Sequence, residues 1–386
     1  MLEGVTVVVP TYNRRALLTR TLRSLVDQAQ GGCPPFEVVV CDDGSSDGTS
    51  EVVTEVARDL DVRYVWQTDR GHRVAAARNL GIALARRSVT VMLDCGALAG
   101  PGYLRAHAEV HLPYLRGEEA TPRAVIGNAV GYRFDIDVAG NVSRAVLDGT
   151  NQEALALAAR SDEFVDMRRD EAQGLASAPS PWRLFWTTNV SVPTSLLRDV
   201  GGFDEAFEGW GAEDLELAYR VHLAGARFVW SDDAWALELP QPRDRAANRV
   251  TNTTNMKRFA AKHRHVEVEL FVGAREIGVP VRESVEFFDA WQRRAANAGR
   301  AWPVVQWDLE AGLVDFDVVD GAAAPASVAD GVRGRLPILG LHTPFTDGAF
   351  RVARFSRRLE GLWDRWGDAL LDEARRIASR TEEPGC

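Results

Sequence analysis

Two adjacent carboxylates beside an indole, in Trp210-Gly211-Ala212-Glu213-Asp214, are the residues of this chain best placed to act on a hydroxyl group. The turn-rich Gly201-Gly202-Phe203-Asp204-Glu205 precedes them, and Leu217, Val221 and Ala224 after them share one face at helical spacing. The acids therefore stand at a helix start, where one can hold a hydroxyl and the other can take its proton. First-turn acids also complement the helix dipole, and the pair taken alone does not separate the two roles.

A second group lies in the N-terminal third. Asp42-Asp43-Gly44-Ser45-Ser46-Asp47-Gly48 follows an apolar run, and a carboxylate at a strand end can accept a hydrogen bond from a nucleobase ring nitrogen or a ribose hydroxyl. Tyr12 offers a stacking face. Asp47 precedes a helix and is read as its cap.

The elements that must position these residues follow from pattern. Val5 to Val9 is a β-branched, continuously apolar run of the kind buried in a parallel sheet, and it is expected to stop at Pro10, which cannot donate to a ladder. Leu18, Leu22, Leu25 and Val26 recur at helical spacing, and Phe36 to Cys41 is a second buried strand. A helix with Val52, Val53 and Val56, a strand from Arg63 to Gln67, a helix in the later part of 71–87 and a strand from Val89 to Leu93 complete the alternation. Such alternation implies a mostly parallel sheet that binds ligands beyond the strands' carboxyl ends. Three loops converge there: Pro10 to Arg14, Asp42 to Gly48, and Asp94 to Gly96.

A chain of 386 residues with 46% apolar content exceeds the usual single core, so two or three domains are expected. A net charge of −10 and a pI near 5.3 argue against general affinity for nucleic acid or anionic membranes. Cys33, Cys41, Cys95 and Cys386 show neither a disulfide framework nor zinc spacing, no charged-then-apolar leader precedes the first strand, and no apolar run approaches the roughly 18 residues of a membrane span. The expectation is a reduced, cytoplasmic protein.

With its motifs taken in order, the chain resembles the family-two glycosyltransferases, specifically the galactosyltransferase and chondroitin-polymerase branch. The matching pieces are Val9 to Arg14, Asp42 to Asp47, Gly71 to Asn79 ending Ala77-Arg78-Asn79, Asp94, Thr188-Asn189-Val190-Ser191-Val192, and Gly201 to Asp204 leading into Trp210 to Asp214, over roughly residues 4–260. The resemblance implies the α/β, Rossmann-like GT-A fold and an inverting transferase that moves a sugar from a nucleotide diphosphate, such as a UDP-sugar, to a hydroxyl of a soluble small-molecule or glycan acceptor. It places Pro10, Tyr12, Arg14, Asp42, Asp43, Arg78 and Asp94 at the donor, Trp210 and Asn189 at the acceptor, Glu213 on the acceptor hydroxyl and Asp214 as general base. It further implies a divalent manganese or magnesium ion, held first by Asp94.

The metal pattern is where this sequence departs from that family. The Asp-x-Asp element reads Asp94-Cys95-Gly96, and Gln241 stands where relatives carry a ligand histidine. The site is incomplete unless Glu238 or Asp244 joins Asp94, or Arg243 and Arg245 balance the diphosphate charge directly. The missing ligands keep a second reading open, a degenerate non-catalytic homologue that binds nucleotide or sugar as a partner protein. Residues 1–265 are expected to form the transferase domain, with 1–100 the nucleotide-sugar half and 101–265 the acceptor half. Within it, Gln152 to Arg169 reads as a solvated helix, His107, His111 and His222 as structural, and Trp182 and Trp186 as either groove-lining or core. Residues 266–386 are read as a small α/β appendage for packing, homodimer formation or acceptor presentation.

Overall fold

The computed structural model describes residues 2–29, 32–131, 141–161, 164–175, 180–276, 281–296, 299–321, 324–341 and 343–382. The chain divides into two compact units, Met1–Asn255 and Met256–Cys386.

The first unit opens with β1 (Leu2–Thr11), α1 (Arg15–Ala29), β2 (Phe36–Asp42), α2 (Thr49–Val56), β3 (Val62–Trp66), α3 (Val74–Leu84) and β4 (Arg87–Leu93). These strands lie parallel in the order β3-β2-β1-β4. Strand β1 runs one residue past Pro10, to Thr11 opposite Asp42. Its ladder with β4 has already ended at Val8, so the missing N–H of Pro10 leaves no acceptor there unmatched. Val8, Val39, Cys41 and Ala77 fill the face under α3, whereas Val7, Val9, Val38, Val40, Val91 and Leu93 fill the other.

The elements after Asp94 extend the same sheet. They are β5 (Ala97–Ala99), α4 (Tyr103–Leu115), β6 (Arg123–Val130), α5 (Asn141–Asp148), α6 (Asn151–Ala158), α7 (Arg169–Ala172), β7 (Asn189–Pro193), α8 (Thr194–Asp199), α9 (Glu213–Leu223) and β8 (Arg227–Glu238). The full order is β3-β2-β1-β4-β7-β6-β8-β5. Strand β7 runs antiparallel to β4, with Leu93 opposite Asn189, so the mixed half adjoins the parallel half at Asp94. A long helix, α10 (Arg245–Lys262), carries the division between the units.

The solvated helix expected over Gln152 to Arg169 is not one helix: α6 ends at Ala158, and Arg168 and Asp166 beyond it are almost fully buried. Arg168 pairs with Asp166 at 2.6 Å, donates to the carbonyls of Leu184 and Gly127, and lies against the rings of Trp186 and Trp230. Those hydrogen bonds and ring contacts are what let a guanidinium leave water.

The second unit has α11 (Val266–Glu276), α12 (Val281–Ala295), β9 (Arg300–Asp308), β10 (Leu313–Gly321), β11 (Val328–Ala329), β12 (Arg333–Leu336), β13 (Phe350–Phe355), α13 (Glu360–Ile377) and β14 (Ala378–Glu382). Its mixed six-stranded sheet has the order β11-β12-β9-β10-β13-β14. Trp291, Phe316, Phe350, Leu362, Trp366 and Leu370 belong to a core of its own.

Candidate active site

The loop after β2 is built around carboxylates. Asp42 is fully buried at the strand end, where one oxygen accepts the N–H groups of Gly44 and Ser45 at 3.0 and 2.7 Å and the other accepts the Tyr64 hydroxyl at 2.6 Å. It shapes the loop from beneath. Asp43 accepts from the Gln67 amide at 2.5 Å and from the Arg73 N–H at 2.6 Å, one on each oxygen, which leaves each oxygen lone-pair capacity. Asp47 accepts the N–H groups of Arg15 and Thr49, the first residues of α1 and α2, and so ties down both helix starts.

Tyr12 and Arg14 project from the same edge, with the Tyr12 ring 43% exposed and its hydroxyl donating to Asp69 at 2.9 Å. Pro10 is buried within β1 and positions that loop from the sheet.

Arg78, on α3, joins the two halves of the site. Its side chain is buried, and it donates to Asp94 at 2.9 Å and to Glu213 at 3.2 Å, with its guanidinium 5.3 Å from the Phe203 ring centre. Burial opposes its charge, but Asp94, Glu213 and Asp214 outweigh burial and raise its pKa above the ordinary value. A strand-end acid, the helix-start acids and one buried cation thus form a single cluster.

The helix start is strained. Ala212, just before α9, has φ 69°, a left-handed conformation that costs an L-residue roughly 1–2 kcal/mol, and Gly211 before it has φ 102°. Glu213 Oε2 is buried without a hydrogen-bond partner. Asp214 keeps partial exposure and accepts the Leu215 N–H at 2.8 Å. Burial and then the neighbouring Glu213 push its carboxyl up to about 7, against the pull of Arg78. A carboxylate titrating near neutrality is matched to removing a proton from a hydroxyl.

Trp210 is 41% exposed, on a loop held from two sides. On one side Thr251 of α10 bonds both the N–H and the carbonyl of Trp210, and Asn255 donates to the carbonyls of Glu208 and Gly211. On the other, the Gly209 N–H donates to the His72 carbonyl and the Gly209 carbonyl meets His72 Nδ1, both at 2.9 Å. None of His72, Thr251 or Asn255 stands out in sequence, because each works by meeting a backbone far away in the chain.

Asn189 does not face an acceptor. It is fully buried, its carbonyl oxygen accepting from Tyr103 and lying 2.9 Å from His107 Nε2, its amide donating to the carbonyls of Asn128 and Ala234. Its hydrogen-bonding capacity is spent joining β7 to α4, β6 and β8. His107 and His111 both meet Ser191 in the same buried layer, where burial lowers their pKa values to about 4 and about 3, consistent with structural roles. Trp182 is core, edge-on to Tyr219, and Trp186 is half-buried against Arg168.

The residues expected at a metal can be tested against their surroundings. Gly96 supplies no side chain, and the Cys95 thiol is buried against Thr11. Glu238 ends β8, buried, with one oxygen accepting from Gln241 at 3.1 Å and from Arg243. Burial pushes its carboxyl up to about 7, with Arg243 opposing and Asp94 adding to the rise. Its Oε2 and the Gln241 Oε1 are buried with no hydrogen-bond partner, oxygens of the kind a hard divalent ion takes. With Asp94 they are the candidate donors for such an ion, though only two are charged, and no group of three His, Cys, Asp or Glu side chains suited to a metal occurs among the described residues.

Comparison with known proteins identifies the family. Residues 6–111 match the family model for glycosyl transferase family 2, and residues 174–242 match that for the N-terminal domain of galactosyltransferase. A validoxylamine A glucosyltransferase of Streptomyces hygroscopicus subsp. jinggangensis is 34% identical over 98% of this chain and 96% of its own length. A hyaluronan synthase of Pasteurella multocida is 31% identical over 62% of this chain, which spans only 25% of that synthase, and a chondroitin synthase of Escherichia coli is 29% identical over 64% of this chain and 37% of its own length. The chain belongs to glycosyltransferase family 2. It is a glycosyltransferase with the α/β GT-A fold, and the match along its whole length to glucosyltransferases favours catalysis over the non-catalytic alternative. No helix among the described residues is long and apolar enough to cross a membrane.

Proposed function

We propose that the protein transfers a hexose, with inversion, from a uridine diphosphate donor to a hydroxyl of a small-molecule acceptor. The observation that carries this reading is the Arg78 cluster, which sets a donor-side acid, Asp94, against Glu213 and a carboxylate, Asp214, tuned to about 7. Glucose is the favoured sugar, because the relatives matched from end to end are named glucosyltransferases, and their named acceptor, validoxylamine A, favours a discrete acceptor over a growing polymer.

In the proposed reaction Asp214 takes the proton of the acceptor hydroxyl as that oxygen bonds to the anomeric carbon. The bond from this carbon to the diphosphate oxygen breaks, and the nucleoside diphosphate leaves with the electron pair. Glu213, fixed by Arg78, holds the acceptor hydroxyl, and Trp210 gives the acceptor ring an apolar wall. Tyr12, Arg14 and Asp43 receive the nucleotide. Asp94, Glu238 and Gln241 would hold a divalent cation, which when bound supplies positive charge to the departing diphosphate. We place the protein in the cytoplasm, a compartment that suits the free thiols of Cys33, Cys41 and Cys95. The second unit is proposed to present acceptor or to serve packing.

Release of UDP from UDP-glucose, measured with and without manganese and across candidate polyol acceptors, tests the reading. Calorimetry with the common nucleoside diphosphates accompanies it. No binding of any of them, with or without metal, overturns the donor-site assignment.

A further inference from the structure

Thr188 lies in the loop just before β7, directly across from Asp94. Leu93 pairs with Asn189, and the Asp94 N–H donates to the Thr188 carbonyl at 3.2 Å. Side chains alternate along a strand, and facing residues of an antiparallel pair project to the same side. Leu93 and Asn189 project toward α4, where Leu93 joins the core of Tyr103 and Leu104 and Asn189 meets Tyr103 and His107. Carried one residue past the paired strand ends, the same alternation puts Thr188 with Asp94 on the opposite face, the one on which Asp94 meets Arg78 and, through it, Glu213.

On that face Thr188 is only 3% exposed, and its Oγ1 has no hydrogen-bond partner. A buried hydroxyl left in this state is costly, and a threonine can ordinarily rotate to find a backbone acceptor. Arg78 Nε and Glu213 Oε2, from the cluster on this face, share the condition. These are the unpartnered groups a polar ligand entering this face would meet, and Thr188 is the neutral one among the three.

We propose that Thr188 is a further substrate-contacting residue, whose Oγ1 hydrogen-bonds a hydroxyl of the hexose carried by the donor. The inference rests on the donor reading above. The transferred ring must lie between Asp94, on the diphosphate side, and Asp214, on the side of the incoming acceptor. A neutral group that both donates and accepts suits a sugar hydroxyl better than it suits a diphosphate or a cation.

The test uses the full chain, UDP-glucose and its monodeoxy analogues, with Thr188→Val, which keeps the shape, and Thr188→Ser, which keeps the hydroxyl. Thr188→Val should lower kcat/KM for UDP-glucose roughly tenfold, the effect of one lost hydrogen bond, and should melt no lower than wild type because it removes an unsatisfied buried group. Thr188→Ser should stay within a few-fold of wild type. One deoxy analogue should be a poor donor for wild type yet no worse than UDP-glucose for Thr188→Val, which identifies the hydroxyl contacted. Wild-type kcat/KM in Thr188→Val overturns the proposal, as does an equal loss on every analogue accompanied by a lower melting temperature. If wild type binds no UDP-glucose by calorimetry, the donor reading fails and this proposal falls with it, a result distinct from the other two.

Discussion

Replacing Asp214 by asparagine separates the cost of the proposed base from its use. The side chain keeps its size and an oxygen that can accept the Leu215 N–H, so the start of α9 should persist. What disappears is a charge that the fold holds at a penalty. Moving a carboxyl from 3.8 to about 7 means that the folded protein binds this proton more tightly than the unfolded chain does. Stability therefore falls as pH rises from about 4 to about 7, and by pH 8 the penalty has reached its ceiling of about 4 kcal/mol. The neutral amide of the variant carries no such slope. Thermal melts of wild type and Asp214→Asn should nearly coincide at pH 4 and diverge toward pH 8, with the variant the more stable. Turnover should move the other way, kcat falling roughly a hundredfold or more while affinity for UDP changes little. Wild-type turnover in the variant refutes the base assignment. A variant less stable than wild type at pH 8 refutes the electrostatics, because it would mean that Arg78 stabilises the ionised Asp214 by more than burial and Glu213 disfavour it.

Two further perturbations follow from the same geometry. Turnover should stop on exhaustive chelation and return only at high manganese, since two charged ligands make a thin shell, and Glu238→Gln should raise the manganese required by about tenfold; full activity in chelator would instead assign the leaving-group charge to Arg243. Gly211→Ala should lower the melting temperature and raise the acceptor KM, because φ is 102° there and a Cβ would stand 2.3 Å from Asn252 Oδ1; an unchanged acceptor KM would detach the Trp210 loop from acceptor binding.

Much of the first unit was legible because its signals are local. A β-branched run, a proline, a helical period and a pair of strand-end acids each carry their meaning within a few residues, so β1 to β4, the Asp42-Asp43 loop and the α9 start could be placed from pattern. What failed to show was long-range. Asn189 sits in a motif, but its use is decided by Tyr103 and His107, some 80 residues earlier. Arg168 resembles any charge on a solvated helix until Gly127, Leu184 and two tryptophans surround it.

The polar helix α10 shows why such errors have a direction. Sequence patterning treats polarity as exposure, yet Thr251, Asn252 and Asn255 fall at spacings of one and four, on one side of the helix, where they turn toward the Trp210 loop. A loop in left-handed conformations at Gly209, Gly211 and Ala212 leaves backbone groups that no strand or helix can satisfy, so the helix beneath it must offer hydroxyls and amides in place of leucines. The polarity of α10 is therefore what allows the strained loop to exist. That loop in turn aims Glu213 and Asp214, so the site's precision depends on residues whose composition argues against any role in it.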